Sequence, residues 1–106
     1  MSICLLRTFL LTAIFAAAAS AGAAEGKTSY ESKCQGCHGA AGEGKDAIAK
    51  MFKVTLQPLG SKEIQAKSDA ELKKVVTAGQ GKMKPVTGLN DAQVADIIAH
   101  VRTLKK

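Results

Sequence analysis

Cys34, Cys37 and His38 form the pattern C-x-x-C-H, which is typical of covalent haem attachment. Two thiols three positions apart can reach the two vinyl groups on one edge of a porphyrin, where each can form a thioether bond. The imidazole of His38 follows directly, so it can bind the iron as the proximal axial ligand. The pattern therefore predicts Cys34 and Cys37 as attachment residues and His38 as an iron ligand.

A C-x-x-C pair also occurs in redox dithiols and in zinc sites. Zinc would need further ligands, but after His38 the sequence contains no cysteine and only one more histidine, His100. A thioredoxin-like dithiol would follow a β-strand in a βαβ unit, and no alternating apolar run precedes Cys34. Haem attachment is the preferred interpretation, and a dithiol or disulfide protein is the alternative.

Met51, Met83 and His100 are the candidates for a second axial ligand. Met51 follows the C-x-x-C-H pattern closely, and we interpret it as core filling. His100 lies on or beside the apolar face of the last predicted helix, which favours a packed residue over a ligand. Met83 lies in a loop between Lys82 and Lys84, where a core role is implausible for an isolated methionine. We therefore predict Met83 as the sulfur ligand.

Methionine ligation would decide the kind of haem protein. A neutral thioether favours ferrous iron and raises the reduction potential relative to two histidines. It also closes the coordination sphere, which excludes oxygen and peroxide. A His/Met-ligated haem therefore indicates that the protein is an electron carrier and not an enzyme. The alternative is a haem enzyme or a ligand sensor, which would have an open sixth position on the iron.

The first 23 residues are predicted to be a Sec-type secretory signal peptide. Residues 1–7 are a short basic start, residues 8–19 are apolar, and residues 21–23 have the A-x-A form of a cleavage site. The apolar run is too short for a comfortable membrane span. We expect residues 24–106 to form one monohaem domain that is periplasmic or otherwise exported, and an uncleaved N-terminal anchor is the alternative.

The predicted mature domain is small and basic. Its aromatic residues are Tyr30 and Phe52 alone, so a covalent haem would supply the apolar core that the chain lacks. Removing Arg7 from the 15 basic residues leaves 14 against 9 acidic ones, a net charge of +5. Few aromatic residues are interleaved with the lysines, which argues against a nucleic-acid-binding surface.

Capping-box patterns predict the starts of three helices, at Thr28, Ser68 and Asn90. The first helix should run into Cys34, the second should end at Gly79, and the third should continue to the C-terminus. A short helix is predicted over 46–52, and an extended or irregular segment over 54–60, where Leu56 and Leu59 are expected to face the haem. A glycine-rich loop is predicted around Gly36, Gly39, Gly42 and Gly44. No strand pattern is present, which indicates an all-α fold.

Over residues 25–106 the chain resembles class I c-type cytochromes, the small soluble bacterial monohaem cytochromes c. The resemblance rests on Gly26-x-x-x-Tyr30-x-x-x-Cys34, on C-x-x-C-H-G, on the K-M-K-P ligand loop at 82–85 and on the last helix. It implies three to four helices wrapped around one covalent haem c, with the N- and C-terminal helices crossing near Gly26 and Tyr30. It also implies single-electron transfer between redox partners.

The resemblance also raises expectations about partners and about two departures from the family pattern. Lys82 and Lys84 would border the exposed haem edge and attract acidic redox partners, which are expected to be respiratory donors and acceptors. The mature protein is expected to be a monomer that binds no nucleic acid and is not inserted in a membrane. His100 stands where the family commonly has an aromatic residue, so helix packing is expected to be pH-sensitive. The usual proline after the haem motif is absent, and we predict that a backbone carbonyl near Ala47 accepts a hydrogen bond from His38.

Overall fold

The computed structural model describes residues 18–106; residues 1–17, which hold most of the predicted signal peptide, lie outside the described part. Residues 18–106 form helices and no strand, which confirms the all-α prediction. Two helices, α2 (Gln35–His38) and α4 (Lys62–Gln65), are single turns. The four longer helices are α1 (Ala18–Lys33), α3 (Asp46–Phe52), α5 (Asp69–Ala78) and α6 (Asp91–Thr103).

Helix α1 begins earlier than the capping pattern at Thr28 predicts. Thr28 lies inside α1, so the prediction that it caps the helix is wrong. The segment before it is rich in alanine, the strongest helix former, and it is helical from Ala18 onward. Residues 18–23 of the predicted signal peptide belong to this helix. Within residues 18–106 no helix has both the length and the apolarity to cross a membrane.

The helix starts predicted at Ser68 and Asn90 are confirmed, and of these two caps Asn90 alone forms the full capping box. The Ser68 hydroxyl accepts a hydrogen bond from the Glu71 amide at 3.1 Å, at the start of α5. At the start of α6 the Asn90 side chain accepts from the Gln93 amide at 2.8 Å, and the Gln93 side chain accepts from the Asn90 amide at 2.9 Å. Each cap satisfies amide donors that the first turn of a helix leaves unpaired. Helix α5 ends as predicted, before Gly79 at φ 77°.

Helices α1 and α6 cross at Gly26, which has no side chain to separate them. A Cβ atom at Gly26 would overlap the backbone carbonyl of Asp96. Next to this crossing Tyr30 packs against Ile97 and Val101, and all three are buried. The crossing near Gly26 and Tyr30 that the family resemblance implies is therefore confirmed, and it forms the protein's apolar core.

Helix α3 has the predicted bounds, and the segment after it is largely irregular as expected. Ile48 and Ala49 are its half-buried residues, whereas Met51 is 64% exposed and Phe52 is 41% exposed. The interpretation of Met51 as core filling is therefore wrong, because α3 turns that position away from the domain. The helix ends at Lys53, which has a left-handed φ of 54°.

Arg102 ties the end of α6 to the segment that follows α4. Its guanidinium donates to the carbonyls of Gln65 at 2.9 Å and Lys67 at 2.7 Å, and to the carboxylate of Asp69 at 2.8 Å. The Gln65 side chain in turn donates to the Val101 carbonyl at 3.0 Å. These bonds hold the single-turn helix α4, which has no clear pattern in the sequence.

Candidate haem-binding site

The C-x-x-C-H segment is helical. The His38 amide donates to the Cys34 carbonyl at 3.0 Å, and the Gly39 amide donates to the Gln35 carbonyl at 2.9 Å. The prediction that Gly36 already belongs to a loop is therefore wrong. Residues three and four apart on a helix share one face, so α2 presents Cys34, Cys37 and His38 together. This is the arrangement that two thioether bonds and a proximal ligand on one porphyrin require.

Both thiols are free; Cys34 is half-buried and Cys37 is exposed. Burial raises the pKa of the Cys34 thiol to about 11. Reactive redox dithiols and zinc ligands have lowered thiol pKa values, because the thiolate is the active form. The environment of Cys34 therefore disfavours the dithiol alternative and suits a thiol that is consumed in a covalent bond.

The His38 ring is half-buried, and its Nδ1 atom is buried without a hydrogen-bond partner. The predicted bond to a backbone carbonyl near Ala47 is therefore wrong. Ala47 lies in the first turn of α3, where helical geometry directs its carbonyl along the helix axis. Burial lowers the pKa of His38 and so favours the neutral imidazole, the form that binds metals. The ring fits an iron ligand.

The glycine-rich loop after His38 folds back on the C-x-x-C-H segment. The Gly44 amide donates to the His38 carbonyl at 2.7 Å, and the Lys45 amide donates to the Cys37 carbonyl at 3.0 Å. The Leu59 amide donates to the Gly42 carbonyl of this loop at 2.8 Å, and the Leu59 side chain packs against the core. These bonds fix the backbone around the proposed iron ligand. That Leu56 and Leu59 face the haem stays a prediction.

Met83 lies in a tight turn that is fixed at both ends. Gln80 and Met83 exchange two backbone hydrogen bonds, each 2.9 Å long. Gly79 lies so close to this turn that an added Cβ would approach the Met83 carbonyl to 2.6 Å. The Val86 amide then donates to the Val76 carbonyl of α5 at 2.8 Å. The backbone of the half-buried Met83 therefore has little freedom, as a ligand loop requires, and iron ligation by its sulfur stays a prediction.

Tyr30 has a role at the site that the sequence pattern did not indicate. Its ring packs in the core as predicted, but its buried hydroxyl also donates to the Gly39 carbonyl at 2.6 Å. Burial raises the pKa of Tyr30 to about 12, so the hydroxyl keeps its proton. The sequence feature that could have indicated this bond is the presence of tyrosine instead of phenylalanine at position 30, since a buried tyrosine hydroxyl usually has a hydrogen-bond partner.

His100 is packed, as predicted. It is 8% exposed, and its ring lies 5.0 Å from the Tyr30 ring between centroids. Its pKa is lowered by burial and by Lys27, while Glu31 acts in the opposite direction. The neutral ring is therefore the form that fits the folded protein.

We expect the free energy of unfolding of the haem-loaded protein to fall in acid because of His100. The unfolded chain takes up this proton near the ordinary pKa of about 6.5, before the folded protein does. The stability is therefore unaffected well above that pH and decreases as the pH falls below it. Denaturant unfolding at about pH 7.5 and about pH 5 measures the loss, and His100→Phe should reduce it. An equal loss in both proteins would contradict this expectation.

Comparisons with known proteins agree with the geometry. The sequence pattern of the family "Cytochrome c" matches residues 23–105. Among solved structures, the chain is similar to the KustC0563 c-type cytochrome, with a TM-score of 0.64 and 25% identity over 76% of this chain and 98% of the other. A search of curated proteins gives no match. The chain belongs to the cytochrome c family of haem-binding electron-transfer proteins, and its cofactor is covalent haem c.

Proposed function

We propose that the protein carries single electrons on a haem held by Cys34 and Cys37 and ligated by His38 and Met83. The main support is the fixed turn at Met83, because a ligand loop with little freedom changes little when the iron changes oxidation state. The haem supplies a reversible one-electron change at its iron. The chain supplies two axial ligands of different chemistry, a neutral imidazole and a soft thioether.

Met83→Ala tests the sixth ligand. We expect this variant to lose the weak red absorption band of sulfur-bound ferric iron, to have a lower midpoint potential, and to bind carbon monoxide stoichiometrically when reduced. The physical reason is the loss of the thioether, which favours ferrous iron and blocks the sixth position. Visible spectra and a redox titration measure these changes.

Met51→Ala is the matched control for this experiment, because it removes the other methionine of the domain, which is 64% exposed. It should keep the wild-type spectrum and potential. Loss of the red band in Met51→Ala alone would disprove the ligand assignment. Carbon monoxide binding to the reduced wild-type protein at neutral pH would instead support the haem enzyme or ligand sensor.

The partners of this carrier are proposed to be acidic redox proteins, its donor and acceptor in respiration. Lys82 and Lys84 support this idea, because both are exposed on either side of Met83 and would mark the haem edge. Opposite charges on two partners mainly accelerate association. The proposed export of the chain, with removal of residues 1–23, would place this reaction outside the cytoplasm, as is typical of cytochromes c.

Steering by lysines predicts a strong salt dependence. With an acidic redox protein, the second-order rate of electron transfer should fall about tenfold or more between about 10 and 200 mM salt. Charge reversal at Lys82 and Lys84 should lower the rate at low salt and flatten this response. The same reversal at Lys105 and Lys106, which are also exposed, is the charge-matched control. Equal effects of the two double variants would show that net charge, and not a local surface, attracts the partner.

A further inference from the structure

His100 is a buried polar side chain that has no evident structural need to be polar. Its Nε2 atom is buried and has no hydrogen-bond partner. A buried polar atom without a partner destabilises the folded state, so an apolar ring of similar size would fit this position better. Its ring meets the Tyr30 ring at an interplanar angle of 53°. The unusual feature of the core is therefore a neutral imidazole packed beside the Tyr30 ring.

Tyr30 connects this core to the haem-attachment segment. Its ring is fully buried, and its hydroxyl donates to the carbonyl of Gly39, the residue directly after His38. Gly39 adopts φ 85°, a conformation that side chains disfavour, and here the chain turns from α2 into the loop. The same carbonyl also accepts the Gly42 amide at 3.2 Å. The turn that directly follows the proposed iron ligand is thus held by a side chain of α1.

We propose that Tyr30 is a positioning residue for the haem site, and that the neutral ring of His100 holds it there. Tyr30 sets the Gly39 carbonyl and, through the adjoining peptide, the backbone that carries His38. The same bond reduces the negative charge on the Gly39 carbonyl oxygen, which would raise the reduction potential of an iron bound at His38. This role depends on the covalent haem and on His38, and it is independent of the sixth ligand and of any redox partner.

A charge on His100 should disturb this arrangement. The ring is enclosed by α1 and α6, and the charged groups of α1 that act on it are Lys27, which opposes protonation, and Glu31, which favours it. A protonated ring would place a positive charge in the apolar core beside the Tyr30 ring, and the cost of burying that charge would draw the imidazole toward water. The haem site would then change in acid through a group that does not touch it.

The test uses the haem-loaded protein and two conservative variants, Tyr30→Phe and His100→Phe. We expect Tyr30→Phe to lower the midpoint potential at neutral pH and to shift the paramagnetic proton resonances of His38. His100→Phe should leave both unchanged at neutral pH. It should also remove the change in potential that we expect of the wild-type protein in acid, below the ordinary pKa of histidine.

Arg102→Ala is the control for simple destabilisation, because it breaks bonds of α6 that do not involve Tyr30. It should lower the melting temperature and leave the potential and the His38 resonances unchanged. If Tyr30→Phe also changes only the melting temperature, Tyr30 is a core residue without a positioning role. If the acid change in potential persists in His100→Phe, another group causes it and the role of His100 is disproved. If the wild-type protein lacks the red sulfur band, Met83 ligation is refuted. The comparison of Tyr30→Phe and His100→Phe with the wild type remains valid, because it does not depend on the sixth ligand.

Discussion

Replacing both Cys34 and Cys37 with alanine is expected to give a colourless chain without a cooperative unfolding transition. Within the described residues, the buried apolar side chains are few: Tyr30, Val94, Ile97, Ile98 and Val101. They all belong to α1 and α6, so the segments between these helices have little apolar core of their own. Small domains of this kind need an additional stabilising element, and here the covalent haem supplies it.

Visible absorption, intact mass and thermal unfolding followed by circular dichroism measure this effect. Cys4→Ala is the control, because Cys4 is the remaining cysteine and lies in the predicted signal peptide. It should yield haem-loaded protein with an unchanged transition. A sharp thermal transition in the double variant at the mass of the polypeptide alone would contradict the claim that the haem completes the core.

Gly26→Ala is expected to destabilise the haem-loaded protein by about 2–3 kcal/mol. Alanine improves helix propensity by about 1 kcal/mol, but its Cβ would overlap the Asp96 carbonyl, and only a separation of the two helices relieves this clash. In a domain of this size the loss corresponds to a decrease in melting temperature of roughly 10–20 °C. Thermal unfolding followed at the haem absorbance measures it.

Thr28→Ala is the matched control, because Thr28 is exposed in the same helix. As a helix-interior residue it should be neutral or stabilise by up to about 0.7 kcal/mol. A loss of about 1 kcal/mol would instead be expected if Thr28 capped the helix, and it would contradict the observed start of α1. A Gly26→Ala variant as stable as the wild type would show that the crossing can widen without cost.

Local signals in the sequence predicted much of this fold. Two of the capping motifs, at Ser68 and Asn90, mark helix starts because their hydrogen bonds span only three residues. The motif at Thr28 did not mark a helix start. Thr28 and Glu31 can also lie in a helix interior, and here the alanine-rich segment before them favours helix as well. The C-x-x-C-H pattern predicted the attachment residues, because haem attachment requires two thiols and an imidazole close together in the sequence.

Features that depend on contacts between distant residues could not be predicted. The single turn α4 is held by Gln65 and Arg102, which bond to residues more than thirty positions away. The exposure of Met51 depends on which face α3 turns toward the domain, and a short helix carries too few residues to reveal this. The bond from Tyr30 to Gly39 depends on how α1 meets the loop after the haem motif, which no local pattern specifies.

The cluster of hydrogen bonds at Arg102 determines how far the C-terminus can be shortened and where another peptide can be attached. Ending the polypeptide after Val101 would leave the carbonyls of Gln65 and Lys67 without their guanidinium donor and release the neighbouring segment. Removing only Lys105 and Lys106 would lose the bond from the Lys106 amide to Gly60. An affinity tag or an electrode-binding peptide attached beyond Lys106 would leave the cluster intact, so this end of the molecule is a suitable point for tethering.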